Sequence, residues 1–362
     1  YMEPMVPENS VSPMKLLLYN FFKGLIRTGF FCYYQKISMH NIDRVPRDRP
    51  VMLLPNHQNA LLDPLLYAAF ARARKPYFLT RSDVFSNPLL RWIFEGLRMM
   101  PIYRLRDGRD TLKRNQEVFE RCADLFAKGE HILLFPEANH NLRRQVRPLS
   151  KGFTRILAHS FQEYPDLDIW IVPVGVNYQQ AANFPDRVAF YFGEAFSAKT
   201  YWFPSSESLD VPALREKVHH SLTFLTTHIP PEADYDESIR RLTRSGVDLL
   251  NPDATRSLLS IDPDIPALQK PGRESRAAFW GVIFHGVTLP VWLPWRWIAK
   301  NKVPEAEFKS TFRFLYALGA VPLYYLVVGG VLSLWLPYRW ALAAVLFLFA
   351  CNLAYVKYRP LG

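Results

Sequence analysis

His57 and Asp63 stand six positions apart in the stretch V-M-L-L-P-N-H-Q-N-A-L-L-D-P-L-L-Y, residues 51–67. A carboxylate that accepts from one imidazole nitrogen fixes the tautomer and leaves the other nitrogen as a free base. Residues 51–70 contain no Ser or Cys to act as a nucleophile. The simpler chemistry is therefore a base acting directly on a substrate hydroxyl, with Asn56 as a neighbouring polar group. Alone, a His-Asp pair is more commonly a structural hydrogen bond, so the context must decide.

A second group follows the apolar run Ile132-Leu133-Leu134: Phe135-Pro136-Glu137-Ala138-Asn139-His140-Asn141. A Glu held by a proline turn at a strand end is an unusual place to keep a charge for structural reasons. His140 adds a polar group of no evident role. Arg143, Arg144 and Arg147 come next, then Ser150-Lys151-Gly152 opening a helical pattern. Cationic side chains beside free helix N–H groups suit a phosphate. Arg104 and Arg106, two apart in I-Y-R-L-R, offer further bidentate donors for one. Val172-Pro173-Val174-Gly175-Val176-Asn177-Tyr178 reads as a buried strand with a polar end, filling core or lining an acyl channel. Cys32, Cys122 and Cys351 show no metal-ligand spacing and sit in apolar contexts, so buried free thiols are expected and no metal site.

These residues need a scaffold. Strand signals fall at 51–54, 77–80, 132–135, 169–176 and 188–192, where Pro55 ends ladder pairing for want of an N–H. Helical patterns separate them at 61–73, 87–97, 110–128 and 153–162, and Gly129 stops the third. This alternation predicts an α/β domain with a largely parallel sheet and ligands beyond the strands' C-terminal ends. Residues 209–250 read as helical, with Leu214, Val218, Leu222 and Leu225 on one face.

The chain of 362 residues carries 44 basic and 33 acidic side chains, a formal charge of +11, yet is 49% hydrophobic. The basic residues are scattered and no recognition motif accompanies them, which argues against nucleic acid and for an anionic membrane surface. The first ten residues have no basic start and no cleavage pattern, so no secretory leader is expected. In residues 14–34, Lys15, Lys23 and Arg27 line one stripe of an aromatic-rich helix, as in a helix lying in the membrane interface. Ala277–Pro294 is apolar but broken by Pro290 and Pro294, and reads as re-entrant or interfacial. Phe314–Leu336 and Trp340–Val356 read as a transmembrane hairpin. The flanking Lys and Arg place both of its ends in the cytoplasm and Pro337–Arg339 outside. The expected organisation is an interfacial helix (1–39), a catalytic domain on the cytoplasmic face (40–250), a Pro/Asp-rich linker (251–274) and an integral membrane region (275–362).

Four stretches in order, N-H-Q-N-A-L-L-D-P, P-I-Y-R, L-L-F-P-E-A-N-H-N and V-P-V-G-V-N-Y, resemble the motifs of the glycerolipid acyltransferase family. V-A-F-Y-F-G-E-A-F at 188–196 is a weaker fifth. Five residues rather than the usual four separate His57 from Asp63. That spacing, with His140 after F-P-E and a hydrophobic C-terminal region, is similar to the fungal-type glycerol-3-phosphate and dihydroxyacetone-phosphate acyltransferases. Where the family usually continues Gly-Thr-Arg, this chain has Ala138-Asn139-His140. The resemblance implies an α/β acyltransferase fold, with transfer of an acyl group from acyl-CoA or acyl-carrier protein to a hydroxyl of glycerol 3-phosphate. Lysophosphatidate or another lysolipid is the alternative acceptor, and a catalytically silent lipid-binding scaffold the alternative of another class. It implies His57 as base, Asp63 as its orienter and backbone N–H groups around the oxyanion. Arg104 would bind the acceptor phosphate, Glu137 would order the pocket, and Arg143 or Arg144 would assist, with no cofactor.

Overall fold

A computed structural model describes residues 13–70, 75–86, 91, 94, 96–103, 111–260, 274–303 and 305–359. Its centre is an eight-stranded sheet. The strands are β1 (Tyr34–His40), β2 (Val51–Pro55), β3 (Tyr77–Arg81), β4 (Met99–Ile102), β5 (His131–Leu133), β6 (Trp170–Tyr178), β7 (Asp186–Phe192) and the short β8 (Phe196–Ser197). They run in the order β1-β7-β6-β2-β5-β3-β4, with β8 against β6. Five pairings are parallel, and only β6 with β7 and β6 with β8 are antiparallel. The expected α/β class with a mostly parallel sheet is what the chain adopts.

The middle strands are apolar on both faces because both faces are covered. Val51, Leu53, Leu133, Val172 and Val174 pack into one core, against α1 (Pro13–Tyr33) and α2 (Leu62–Phe70). Met52, Leu54, Ile132 and Ile171 pack into the other, against α3 (Thr111–Ala127), α4 (Gly152–Glu163) and α5 (Val211–Leu225). Successive strand residues point to opposite faces, so a four-residue run feeds both cores. Helix α3 stops where expected: Gly129 takes φ 73° and the Glu130 N–H donates to the Leu125 carbonyl at 2.9 Å. Asp210 caps α5 and Asp234 caps α6 (Tyr235–Ser245), each accepting an N–H from the first turn.

Several boundaries differ from the expectation. Strands β1 and β4 were not among the expected strands, and β1 opens the sheet at 34, before the first expected strand at 51. The Asn56 N–H still reaches the Val174 carbonyl at 3.3 Å, so pairing continues one bond past Pro55. The C-terminal end of α1 is core rather than interface: Phe30 and Tyr33 are buried, while Leu17 and Phe21 are exposed. Residues 252–260, the start of the expected linker, form helix α7 (Pro252–Ser260) with Thr255 buried. The rest of that linker, residues 261–273, and the N-terminal segment 1–12 lie outside the described residues. Of the cysteines only Cys122 is buried, whereas Cys351 is exposed on an outward helix face.

The apolar segment at 277–294 is two helices, α8 (Glu274–Val287) and α9 (Leu289–Asn301), which separate at Thr288 just before Pro290. Then come α10 (Lys309–Ser333) and α11 (Tyr338–Tyr358), of 25 and 21 residues. At 1.5 Å per residue each reaches about 30 Å or more, enough to cross a membrane. Their outer faces are bare, with Leu326 73% and Leu334 79% exposed. The base of this hairpin is tied to the sheet domain. Phe314 stacks on Phe30 with centroids 4.3 Å apart, Lys357 Nζ donates to the Tyr34 carbonyl, and Ser310 Oγ donates to the Ala181 carbonyl.

Candidate active site

Because β2, β3, β4, β5 and β6 run the same way, their C-terminal ends share one rim. His57 follows β2, Glu137 follows β5 and Tyr178 ends β6. The sheet thereby gathers His57 and Tyr178 from 121 positions apart.

Asn56 turns the chain off β2. Its side-chain amide donates to the Val176 carbonyl at 3.1 Å and accepts from the Val176 N–H at 2.6 Å. It continues the β6 pairing that a bare backbone would have lost, and is 4% exposed. Its role is thus to hold the loop. His57 comes next, with Nδ1 2.8 Å from Asp63 Oδ2. The Asp63 side chain is fully buried and receives three further donors. The Gln58 and Asn59 N–H groups reach Oδ2 at 3.0 and 2.9 Å, and the Tyr178 hydroxyl reaches Oδ1 at 2.5 Å. A carboxylate so saturated is a fixed acceptor, which assigns the proton to His57 Nδ1 and leaves Nε2 basic. Among the described residues Nε2 has no hydrogen-bond partner, and the ring stacks on Phe135 at 3.9 Å.

Glu137 holds the same loop from the other side. Its side chain is 3% exposed. Oε1 accepts the His57 N–H at 3.1 Å, and Oε2 accepts Arg147 Nε at 2.8 Å. Arg147 also donates to the Asn139 carbonyl, which closes the turn in which Ala138 takes φ 57°. The Asn141 N–H returns to the His57 carbonyl at 3.1 Å. The two loops are therefore one hydrogen-bonded unit.

His140 stands edge-on to His57, ring centroids 5.6 Å apart, with Phe308 against its other side at 4.8 Å. Burial, and then charge on His57, push the His140 imidazole down to about 4. It is neutral at neutral pH, so it does not place a cation beside the base. Phe308 immediately precedes α10, so the C-terminal region forms part of this wall.

The basic residues divide. Arg144 is buried and its Nη2 donates to the Tyr178 and Gln179 carbonyls at 2.8 and 2.7 Å. Burial lowers its guanidinium below the ordinary value. It braces the end of β6 through Nη2. Arg143 is exposed, its guanidinium 4.2 Å above the Tyr235 ring. Lys151 and Gly152 begin α4, just after Ser150, whose N–H donates to the Pro136 carbonyl at 2.7 Å. Arg104 and Arg106 lie outside the described residues. The chain just before them is anchored, since the Asn115 amide bonds both the N–H and the carbonyl of Tyr103.

Two participants carry no local signal in the sequence. Tyr178 reads there only as the end of a buried strand, although a buried phenol needs a partner for its hydroxyl. Arg147 was one of three arginines with nothing in their order to separate them.

Comparison with known proteins fits this arrangement. Residues 36–177 match the family model described as Acyltransferase. Residues 36–177 are an acyltransferase-family domain. This domain spans β1 through nearly all of β6, and so carries His57, Asp63 and Glu137. The chain is 25% identical over 126 residues to "1-acyl-sn-glycerol-3-phosphate acyltransferase BAT2, chloroplastic" of Brassica napus, covering 34% of each chain. It is 26% identical over 135 residues to "Glycerol-3-phosphate O-acyltransferase 1" of Saccharomyces cerevisiae, covering 34% of this chain and 17% of that one. The match thus spans 34% and 17% of these relatives' length. Among solved structures, the 1-acyl-sn-glycerophosphate acyltransferase PlsC of Thermotoga maritima aligns with a TM-score of 0.40 and 16% identity. That alignment covers 57% of this chain and 78% of that one.

Proposed function

We propose that this protein is a membrane-bound O-acyltransferase that moves a fatty acyl group from acyl-CoA or acyl-carrier protein to the sn-1 hydroxyl of glycerol 3-phosphate. The observation that carries the reading is the His57–Asp63 contact at 2.8 Å inside an acyltransferase-family domain, with Nε2 left free. His57 Nε2 takes the proton of the acceptor hydroxyl as the oxygen attacks the thioester carbonyl. The tetrahedral oxyanion forms against backbone N–H groups. It collapses with cleavage of the C–S bond, and the thiolate leaves with the proton that His57 carried. The products are an ester and a free thiol, and no cofactor enters the scheme. Asp63 stabilises the imidazolium between the two steps. Arg104, with Arg143, holds the acceptor phosphate.

A second reading, lysophosphatidate as acceptor, has support from the plant relative named above. Thiol release from acyl-CoA is the test, with glycerol 3-phosphate, dihydroxyacetone phosphate and lysophosphatidate offered separately. A folded His57→Ala protein is expected to lose at least ~10²-fold in kcat, the low end for a general base. Near-normal release by that variant would remove the mechanism.

In this reading the hairpin α10–α11 crosses the membrane, with the catalytic domain on the cytoplasmic face. Cysteine labelling is expected to place Lys300 and Lys357 on one side and Pro337–Arg339 on the other. Labelling of Lys300 and Lys357 from opposite sides would sink this topology.

A further inference from the structure

An open cavity of about 1220 Å³ lies at the base of the hairpin, between α1, α8–α11 and the turn joining β6 to β7. This exceeds the ~300–1,000 Å³ of ordinary small-molecule pockets. None of His57, Asp63 and Glu137 lines it. Its walls are two-sided in character. Trp292, Trp295, Val321, Tyr325, Phe349 and Leu353 are among its apolar and aromatic lining. Arg296, Lys300, Lys309, Arg313 and Arg359 also line it, against a single carboxylate, Glu305.

The placement of charge is one-ended. Arg296 and Lys300 lie in the C-terminal half of α9, Lys309 and Arg313 open α10, and Arg359 directly follows α11. Lining residues continue along α10 from Lys309 to Tyr325, about 24 Å of helix at 1.5 Å per residue. The cavity is therefore cationic at the end nearest the sheet domain and apolar along the hairpin.

Two of these arginines are incompletely satisfied. Arg313 Nη2 donates to the Ala182 carbonyl at 3.1 Å and its guanidinium lies beside the Tyr33 hydroxyl, but its buried Nη1 meets no acceptor in hydrogen-bond geometry. Arg359 Nη1 donates to the Tyr355 hydroxyl at 2.8 Å and more weakly to the Phe184 carbonyl at 3.4 Å. Its Nε is buried without a partner. Among the described residues no carboxylate pairs with any of the five cations. A desolvated guanidinium N–H without an acceptor is costly, and a phosphate is the anion that arginine forks satisfy best.

The geometry points to this cavity as a binding site for an anionic glycerolipid, its phosphate held by Arg313 and Arg359 and its acyl chains lying along α10 and α11. The site is separate from the reacting centre but touches the same turn. Arg313 bonds Ala182, while Ser310 Oγ and Asn59 Nδ2 both donate to Ala181, at 2.6 and 3.1 Å. Asn59 in turn supplies an N–H to Asp63.

The test uses the purified 362-residue chain in phosphatidylcholine nanodiscs and lipids brominated on their chains, which quench nearby tryptophan. Trp292→Phe/Trp295→Phe isolates the signal of the cavity from the other tryptophans. Brominated phosphatidate is expected to quench saturably, at ~10-fold or more lower lipid fraction than brominated phosphatidylcholine, as charge-assisted bonds imply. Arg313→Gln/Arg359→Gln is expected to erase the difference with the melting temperature little changed. Equal quenching by brominated phosphatidylglycerol would assign the site to bulk anionic lipid. Preference for phosphatidate and lysophosphatidate over it would assign the site to a phosphomonoester substrate or product. Equal quenching by phosphatidylcholine, or a folded double variant that keeps the preference, overturns the proposal. Should the double variant fail to fold, native mass spectrometry of the unmodified chain decides. Retention of phosphatidylcholine and not anionic lipid from a mixed bilayer would equally overturn it. No acyl donor is present, so this measurement and the His57→Ala assay can fail independently.

Discussion

The Tyr178 hydroxyl donates to Asp63 Oδ1 at 2.5 Å, and so the last residue of β6 fixes the carboxylate that orients His57 from 115 positions away. Without it, Asp63 keeps its bonds to His57 and two backbone N–H groups, all on Oδ2, and is freer to rotate. Tyr178→Phe is expected to lower kcat by ~10-fold, about 1.4 kcal/mol of transition-state stabilisation, with the acceptor KM little moved. A hydroxyl donating to a charged group contributes about 1.5–3 kcal/mol. A loss of stability within that range, seen by chemical denaturation, should accompany the kinetic effect. Unchanged kcat would show that the backbone donors alone suffice.

Arg147 separates a structural arginine from its neighbours. The Glu137 side chain is almost wholly buried and Arg147 is its counter-charge at 2.8 Å. Removing one partner of a buried pair typically costs about 3–5 kcal/mol. Arg147 is 24% exposed, which lets water replace part of it, so about 2–3 kcal/mol is expected for Arg147→Ala. Arg143→Ala is expected to stay within about 0.5 kcal/mol of the parent, as an exposed side chain should. Denaturant midpoints of the two variants check the ranking, and equal losses would refute it.

Gly175 is where β6 meets the end of α5. A Cβ built there lies 2.0 Å from the Leu225 carbonyl oxygen, a backbone atom that cannot swing aside. The Asn177 side chain pins the same junction, donating to that carbonyl at 2.9 Å and accepting the Thr227 N–H at 2.8 Å. Gly175→Ala must push α5 away, at an expected cost of about 1–3 kcal/mol for overpacking. A melting temperature equal to that of the parent would contradict the close approach.

Asp186 and His140 give the chain opposed pH dependences. Burial pushes the Asp186 carboxyl from 3.8 up to about 7. The folded state therefore holds a proton that the unfolded state has released, and this contribution, full below 3.8, is lost as pH rises through about 7. His140 is depressed from 6.5 to about 4, so stability falls as pH drops through that interval. Asp186→Asn retains an acceptor for the Gln180 N–H and cannot ionise. Melting temperatures between about pH 5 and 8 are expected to fall less with rising pH in the variant than in the parent. Parallel curves would mean that Asp186 does not titrate there.

The strands β2, β3, β5, β6 and β7, the helices α2, α3 and α4 and the apolar pair α10 and α11 were legible in the sequence, while most of the helix expected at 87–97 lies outside the described residues. Each is written in local periodicity and punctuated by Pro or Gly, and local pattern is what a sequence records directly. The pairing of His57 with Asp63 and the place of Glu137 at a strand end were also legible, because residue type and position carry them. What the sequence could not rank were residues of one type side by side. Arg143, Arg144 and Arg147 are equivalent cations until the fold stacks the first on Tyr235, buries the second under the β6 carbonyls and pairs the third with Glu137. Tyr178 reached Asp63, and Phe308 reached His140, only through contacts between distant segments. Strands β1 and β4 and the burial of the end of α1 were decided in the same way. Their stability comes from a partner face that a one-dimensional pattern does not contain.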